Sequence, residues 1–164
     1  MLKVLIDTRE QRPFAFNGKG YEEVITERAS LPTGDYSLSG LSDVVAVERK
    51  SLDDLALCLC RDRERFEREL VRGRGLDAFA VVVEASFADL AAGKYKCRLN
   101  PHAACQSVLA FSSRLGVPFL FASTRKGAEY VTHGFLKQYL EGARKRLEAI
   151  AQATGKDPKG GVEW

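Results

Sequence analysis

The densest group of chemically useful residues in this chain is Val47-Glu48-Arg49-Lys50-Ser51-Leu52-Asp53-Asp54. On a strand, side chains alternate between faces, so Glu48 and Lys50 point one way and Arg49 the other. Asp35 lies upstream in Gly34-Asp35-Tyr36, a turn from which a hairpin brings its carboxylate beside Glu48. Two carboxylates and an ammonium then converge. Carboxylate oxygens suit Mg²⁺, with Mn²⁺ as a substitute, and a neighbouring lysine orients or activates water and offsets charge on a phosphate. The chemistry expected of such a trio is phosphodiester hydrolysis.

Each of these residues also has a plainer reading. Glu48 and Lys50 are compatible with an ordinary ion pair at a strand edge, and Asp35 with a turn residue after Gly34. Ser51-x-x-Asp54 has the form of a helix capping box, and Asp7 closes an aliphatic run. What favours a site is that Asp7, Asp35, Glu48 and Asp54 all fall at strand or helix ends, where a mixed sheet would gather them.

The elements that must do the gathering are visible as patterns. Leu2 to Ile6 is a β-branched, aliphatic run that predicts a first strand ending on Asp7. Residues 21–29 fit helix or strand, and the turn cluster Pro32, Gly34 and Asp35 favours strand. With Val44 to Val47 following, residues 22–50 are expected to form an antiparallel meander. Leu52, Leu55, Leu59, Phe66 and Leu70 then predict one helix over 51–72, stopped by Gly73 and Gly75. Ala78 to Glu84 is a buried-type strand, and Asn100-Pro101 opens a helix that runs to Gly116. Val117 to Ala122 is the last strand. Ser123 or Thr124 caps a final helix with an apolar stripe through Val131, Phe135, Tyr139, Ala143, Leu147 and Ile150. Strands first, then alternating helices and strands, give an α/β fold: a central mixed β-sheet flanked by α-helices.

A length of 164 residues, 45% apolar and 29% charged, fits one globular domain, taken as residues 1–153. The stretch 154–164, rich in Gly and Lys, is expected to be a flexible tail. No apolar run reaches the ~20 residues of a bilayer span and no signal-peptide pattern opens the chain, so no membrane partner is expected. The expected location is intracellular, cytoplasmic or nucleoid-associated. Cys58, Cys60, Cys97 and Cys105 lack metal-knuckle spacing and read as reduced thiols. No phosphate-cradling glycine loop is present, which argues against a nucleotide cofactor.

IDTRE at 6–10, GDY at 34–36 and ERKSLDD at 48–54 resemble, in order and spacing, the three signature segments of the XPF family. These are structure-specific endonucleases that cut flaps and branched duplexes. The resemblance implies a restriction-endonuclease-like nuclease fold acting on branched or flapped DNA, in repair or recombination. It implies that Asp35 and Glu48 are metal ligands, with Asp7 close by as a third metal-site acid, that Lys50 is the catalytic lysine, and that Asp54 supports the site. Arg9 and Arg49 match signature arginines required for activity. Pairing as a homodimer is implied as well. The competing reading is a catalytically silent DNA-binding or dimer-partner module on the same fold.

A net charge of +3 is compatible with DNA without demanding it. Arg61, Arg63, Arg65, Arg68 and Arg72 alternate with Glu64, Glu67 and Glu69, the pattern of a self-paired solvated face. Arg65 nevertheless follows the catalytic segment on what reads as the same helix, in reach of a phosphate. Lys94, Tyr95, Lys96 and Arg98 form a loop without compensating acids, combining cations with an aromatic as single-strand binders do.

Overall fold

A computed structural model describes residues 1–155 of the chain. The chain runs β1 (Leu2–Asp7), β2 (Val24–Ala29), β3 (Tyr36–Leu38), β4 (Val45–Lys50), α1 (Leu52–Cys60), α2 (Arg63–Arg74) and β5 (Ala78–Val83), followed by α3 (Phe87–Ala91), α4 (Pro101–Leu115), β6 (Phe119–Phe121) and α5 (Arg125–Thr154). The strands make one six-stranded mixed sheet in the order β2-β1-β3-β4-β5-β6. The expected class is what forms.

The expected meander over 22–50 does not form as such. Only β3 and β4 make an antiparallel hairpin. β2 lies parallel to β1 on the outer edge, and β1 is inserted between β2 and β3. Edge placement explains why residues 21–29 read ambiguously: the middle of β2 is solvent-exposed and carries Thr26, Glu27 and Arg28 rather than a buried apolar face. To reach β3 from β2 the chain must pass over the C-terminal end of β1, and that crossing sets the role of Asp7.

The expected single helix over 51–72 is two. Leu57 carbonyl accepts from both Arg61 and Asp62, ending α1, and the Asp62 carbonyl then receives Phe66 N–H to start α2. Both helices still bury their apolar stripe, Leu55 and Leu59 on α1, Phe66 and Leu70 on α2. The short α3, with its Ser86–Asp89 capping box, has no counterpart among the sequence patterns above. On α5 the buried ridge is Ala128, Thr132 and Leu136, whereas Leu147 and Ile150 of the expected stripe are exposed. The helix continues past the sheet that would have covered them. It is helical through Thr154 with Gly155 as its left-handed cap, and the remainder of the expected tail, 156–164, lies outside the described residues.

Two hydrophobic layers flank the sheet. On one side Ala46, Val81 and Val83 pack with Leu55, Phe66, Leu70 and Phe111. On the other, Val45, Val47 and Val82 pack with Tyr36, Phe14, Phe16 and Leu136. This division decides the site. Continuing the period of two along β4, Glu48 and Lys50 emerge on the α1–α2 side, with Ala46, and Arg49 emerges on the α5 side, with Val47. The antiparallel β3 begins where the neighbouring β1 and β4 end, so Asp7, Asp35 and the Glu48–Lys50 segment lie along one edge of the sheet.

Candidate active site

Gly34 explains how Asp35 reaches Glu48. Its φ of 80° is open to glycine, and a Cβ there would lie 3.0 Å from the Val47 carbonyl oxygen. That close approach lets Asp35 N–H donate to Val47 O at 2.8 Å while Arg49 N–H donates to Asp35 Oδ2 at 2.8 Å. Asp35 is thus pinned to the residues on both sides of Glu48. Lys50 Nζ donates to Glu48 Oε1 at 2.5 Å, lies 3.8 Å from Glu69 Oε2, and stands over the Phe66 ring. The convergence expected from the sequence is present, and Glu69, part of the charge alternation expected to form a solvated face, lies beside Lys50.

The electrostatics are those of charges drawn together under cover. Burial pushes the Asp35 carboxyl up to about 6, against the pull of the Arg49 N–H. Burial raises Glu48 well above the carboxylate range despite Lys50 beside it. Burial also works against Lys50, where the charges of Glu48 and Glu69 more than offset it and hold the ammonium protonated. Two carboxylates held up by burial, Asp35 also by the charge of Glu10 and Glu48 also by those of Asp35 and Glu69, are what a divalent cation would relieve.

A stability prediction follows for the metal-free protein. The folded pKa of Asp35 lies above its ordinary value of 3.8, so its contribution is fully present below that value and is lost as pH rises through about 6. Asp35→Asn cannot ionise, and in EDTA at pH 8 it is expected to be more stable than the parent by about 1 kcal/mol, or ~2–4 °C in melting temperature. The gap should close near pH 4. Thermal melts at the two pH values check it, and a gap that does not change with pH would remove the elevated pKa.

Asp7 is placed differently from its neighbours. Only 1% exposed, it receives Arg9 N–H and Nε–H on Oδ1, and Arg9 Nη2–H and Leu31 N–H on Oδ2, at 2.7–3.0 Å. Leu31 belongs to the segment crossing from β2 to β3. Burial alone would raise Asp7, but these donors lower it overall, so it is an anion already satisfied by protein. Arg9 is otherwise exposed and also donates to Leu31 O. Asp54 occupies its capping position, with its N–H bonded to Ser51 Oγ and its Oδ2 accepting the Ser51 hydroxyl. It still faces the cleft.

A cleft of about 870 Å³ opens over Asp35, Glu48 and Lys50, with Arg9, Arg12, Arg61, Arg65 and Lys96 around it. Arg65 reaches it from α2 rather than from the helix carrying Asp54. Among the described residues α2 shows one ion pair with its own acids, Arg68–Glu64 at 4.0 Å, so its face is less self-paired than the alternation of charges indicates. The loop expected to be free of acids is not. Lys94 pairs with Asp89 of α3 at 2.7 Å, and Asp53 of α1 receives both the Lys96 N–H and, at 3.4 Å, its ammonium. Tyr95 is partly buried against the core and donates its hydroxyl to Leu99 O. Arg98 is exposed.

The Arg49 side chain lies on the opposite face of β4 from Glu48 and Lys50, in a buried network with Glu10, which also lines the cleft, Glu84 and, through Glu84, Arg125. Glu10 closes the first signature segment, three residues past β1, and Glu84 directly follows β5. Glu84 thus stands at a strand end of the kind that singled out Asp7 and Glu48, a signal that applies equally to it, whereas Glu10 carries no such mark. Nothing local marks Arg125.

A family model described as the ERCC4 domain matches residues 6–133. The chain belongs to the ERCC4 domain family. Members of that family are nucleases, and the likeness to XPF read from IDTRE, GDY and ERKSLDD holds. Among solved structures, XPF from Aeropyrum pernix is similar at 20% identity and a TM-score of 0.62, over 84% of this chain and 61% of that one. XPF from Aeropyrum pernix in complex with DNA is similar at 21% identity and a TM-score of 0.65, over 97% of this chain and 78% of that one. The six-stranded mixed sheet with flanking helices is the fold of that nuclease domain. The chain spans 61% of the first of these structures, so it corresponds to part of that protein. No curated protein matches it.

Proposed function

We propose that the chain is a Mg²⁺-dependent endodeoxyribonuclease that hydrolyses phosphodiester bonds in branched or flapped DNA. The observation that carries this reading is the pinning of Asp35 to both neighbours of Glu48, with Lys50 on the same face of β4. Among the described residues no three acidic, cysteine or histidine side chains cluster closely enough to hold an ion unaided. Mg²⁺ does not need them, because it keeps several waters and binds through one or two carboxylates. Asp35 and Glu48 fit as those ligands, each with one oxygen not engaged by the bonds described. Asp7, with both oxygens committed to Arg9 and Leu31, serves beside them as the lock of the crossing.

A bound Mg²⁺ would supply Lewis-acid stabilisation of the phosphate and make nearby water more acidic. Asp35 and Glu48 hold it, and Lys50 orients a water or neutralises charge that develops on the phosphate. Arg9, Arg12, Arg61, Arg65 and Lys96 contact the DNA backbone. Their charges position the duplex without reading sequence. The test is cleavage of labelled duplex, flap, fork and junction DNA with Mg²⁺, Mn²⁺, Ca²⁺ or EDTA. Cutting of flap or fork DNA with Mg²⁺ or Mn²⁺ alone is expected. Binding without cutting under every condition would replace the nuclease reading with a silent DNA-binding module.

We also infer a homodimer. An apolar groove of about 400 Å³ runs between α5 and the sheet edge, lined by Leu120, Val131, Phe135 and Tyr139, with Tyr130 70% exposed beside it. An exposed apolar patch of this kind suits a twofold partner, with one copy's Tyr130 against the other's groove. Light scattering at tens of micromolar is expected to give twice the chain mass for the parent and the chain mass for Tyr130→Asp. A parent that is monomeric there would remove the inference.

A further inference from the structure

We propose that Arg125, the first residue of α5, is a positioning residue for the cleft, latching the wall that carries Arg9 to Arg12 against the ends of β4 and β5. The proposal rests on the nuclease reading only for its DNA readouts. Between β1 and β2 the chain from Thr8 to Glu23 forms no helix or strand. Its first part, residues 9–12, is nonetheless one side of the cleft, so something other than a backbone ladder must hold it there.

Asp7 of β1 and Arg28 of β2 tie down Arg9 and Glu10, and the rest of the holding, from Glu10 to Pro13, is done from the α5 side of the sheet. Arg49 has a side chain only 9% exposed, and it grips Glu10 with two donors, Nε at 2.7 Å and Nη2 at 3.0 Å, while Nη1 meets Glu84 at 3.2 Å. Glu10 in turn accepts the Arg12 N–H at 2.7 Å. Arg125 closes the ring. Its Nη1 donates to the same Glu84 oxygen at 2.6 Å, and its Nη2 donates to the carbonyls of Arg12 at 2.7 Å and Pro13 at 3.0 Å. Its guanidinium carbon stands 4.9 Å from the Phe14 ring centroid. One turn along α5, Glu129 accepts the Phe16 N–H at 2.6 Å.

Arg125 therefore joins three things that no other residue described here joins: the backbone of the cleft wall, the acid at the end of β5, and the helix beneath. A planar fork with several donors suits that task in a way an ammonium does not. Because Glu48 and Lys50 face the opposite side of β4, loosening the wall should disturb how Arg9 and Arg12 meet DNA more than it disturbs the reacting groups. The signature is a split between binding and turnover.

Arg125→Met keeps the packing on Phe14 and leaves Glu84 still paired with Arg49, so no buried charge is orphaned and the fold should survive. Hydrogen exchange at the Arg12, Phe14 and Phe16 amides is expected to quicken about tenfold or more, with the β4 and β5 amides unchanged. With Ca²⁺, the Kd for a labelled flap DNA should rise about tenfold, and with Mg²⁺ the kcat at saturating DNA should stay within about threefold. Arg125→Lys should recover only part of the affinity. Exchange and Kd both unchanged in Arg125→Met would overturn the proposal. So would full recovery by Lys, or exchange that quickens equally through the whole sheet, which marks general destabilisation. If the parent protein cuts no DNA, the nuclease reading fails, while the exchange pattern still decides this proposal.

Discussion

Lys50→Ala is expected to lower kcat for flap cleavage by about 10²–10³, roughly 3–4 kcal/mol of barrier, with DNA affinity in Ca²⁺ changed by less than about threefold. Lys50 lies 2.5 Å from Glu48 Oε1, on the face of β4 that opens into the cleft, and its side chain is 14% exposed. It is held charged by Glu48 and Glu69, so the ammonium is already in place before substrate arrives. Preorganised charge of this kind acts mainly where charge develops, in the transition state. Lys50→Arg should recover little, because a planar guanidinium is wider than an ammonium and does not reproduce its position beside Glu48, Glu69 and the Phe66 ring. Single-turnover cleavage by both variants decides. Rates within about twofold of the parent, under roughly 0.4 kcal/mol, would reduce Lys50 to an ordinary ion-pair partner.

Asp7→Ala is expected to act on the fold. Removing this carboxylate strands the Leu31 N–H in the crossing from β2 to β3 and frees Arg9, whose N–H, Nε–H and Nη2–H lose their acceptor. Bonds to a buried carboxylate of this kind contribute more than neutral ones, and leaving a buried donor without a partner adds its desolvation cost. The expected loss is about 3 kcal/mol, a fall of ~6–12 °C in melting temperature for a domain of this size. It should appear equally in Mg²⁺ and in EDTA, since the contribution is made to protein donors. Its pH dependence has a definite sign. Asp7 is depressed below the ordinary carboxylate value of 3.8, so its stabilisation is present above that value and is lost as pH falls through the lower, folded value. The parent and Asp7→Ala should therefore converge in stability as the solution is made strongly acid. Thermal melts with and without metal check this. A variant as stable as the parent in EDTA but no longer stabilised by Mg²⁺ would return Asp7 to the metal.

Most of the element types were legible in the chain. Leu2–Asp7, Val45–Lys50, Ala78–Val83, Pro101–Leu115 and Arg125–Thr154 all follow local patterns, with Ser51, Asn100 and Thr124 as the caps where side-chain oxygens precede helical runs. Where reading failed, neighbours supplied the missing term. The mid-point break between α1 and α2 carries no proline or glycine, and β2 shows little apolar alternation because one edge and much of its surface face solvent.

The assignment of faces in the site belongs to the sequence itself. Alternation along a strand has a period of two whatever surrounds it, so Glu48 and Lys50 had to part from Arg49 once Val45–Lys50 became a strand. Ser51 with Asp54, and Gly34 before Asp35, are equally local, because a cap and a positive φ are set within a few residues. Partners are another matter. That β2 pairs parallel to β1, that Leu31 N–H reaches Asp7, that Asp53 and Asp89 neutralise Lys96 and Lys94, and that Arg125 meets Glu84 and the Arg12 carbonyl all join residues distant along the chain or on separate elements. A charged side chain encodes what kind of partner it needs and not which one. The choice among several acids and cations, each offering a similar interaction energy, falls to whichever the packed sheet and helices bring within about 3 Å.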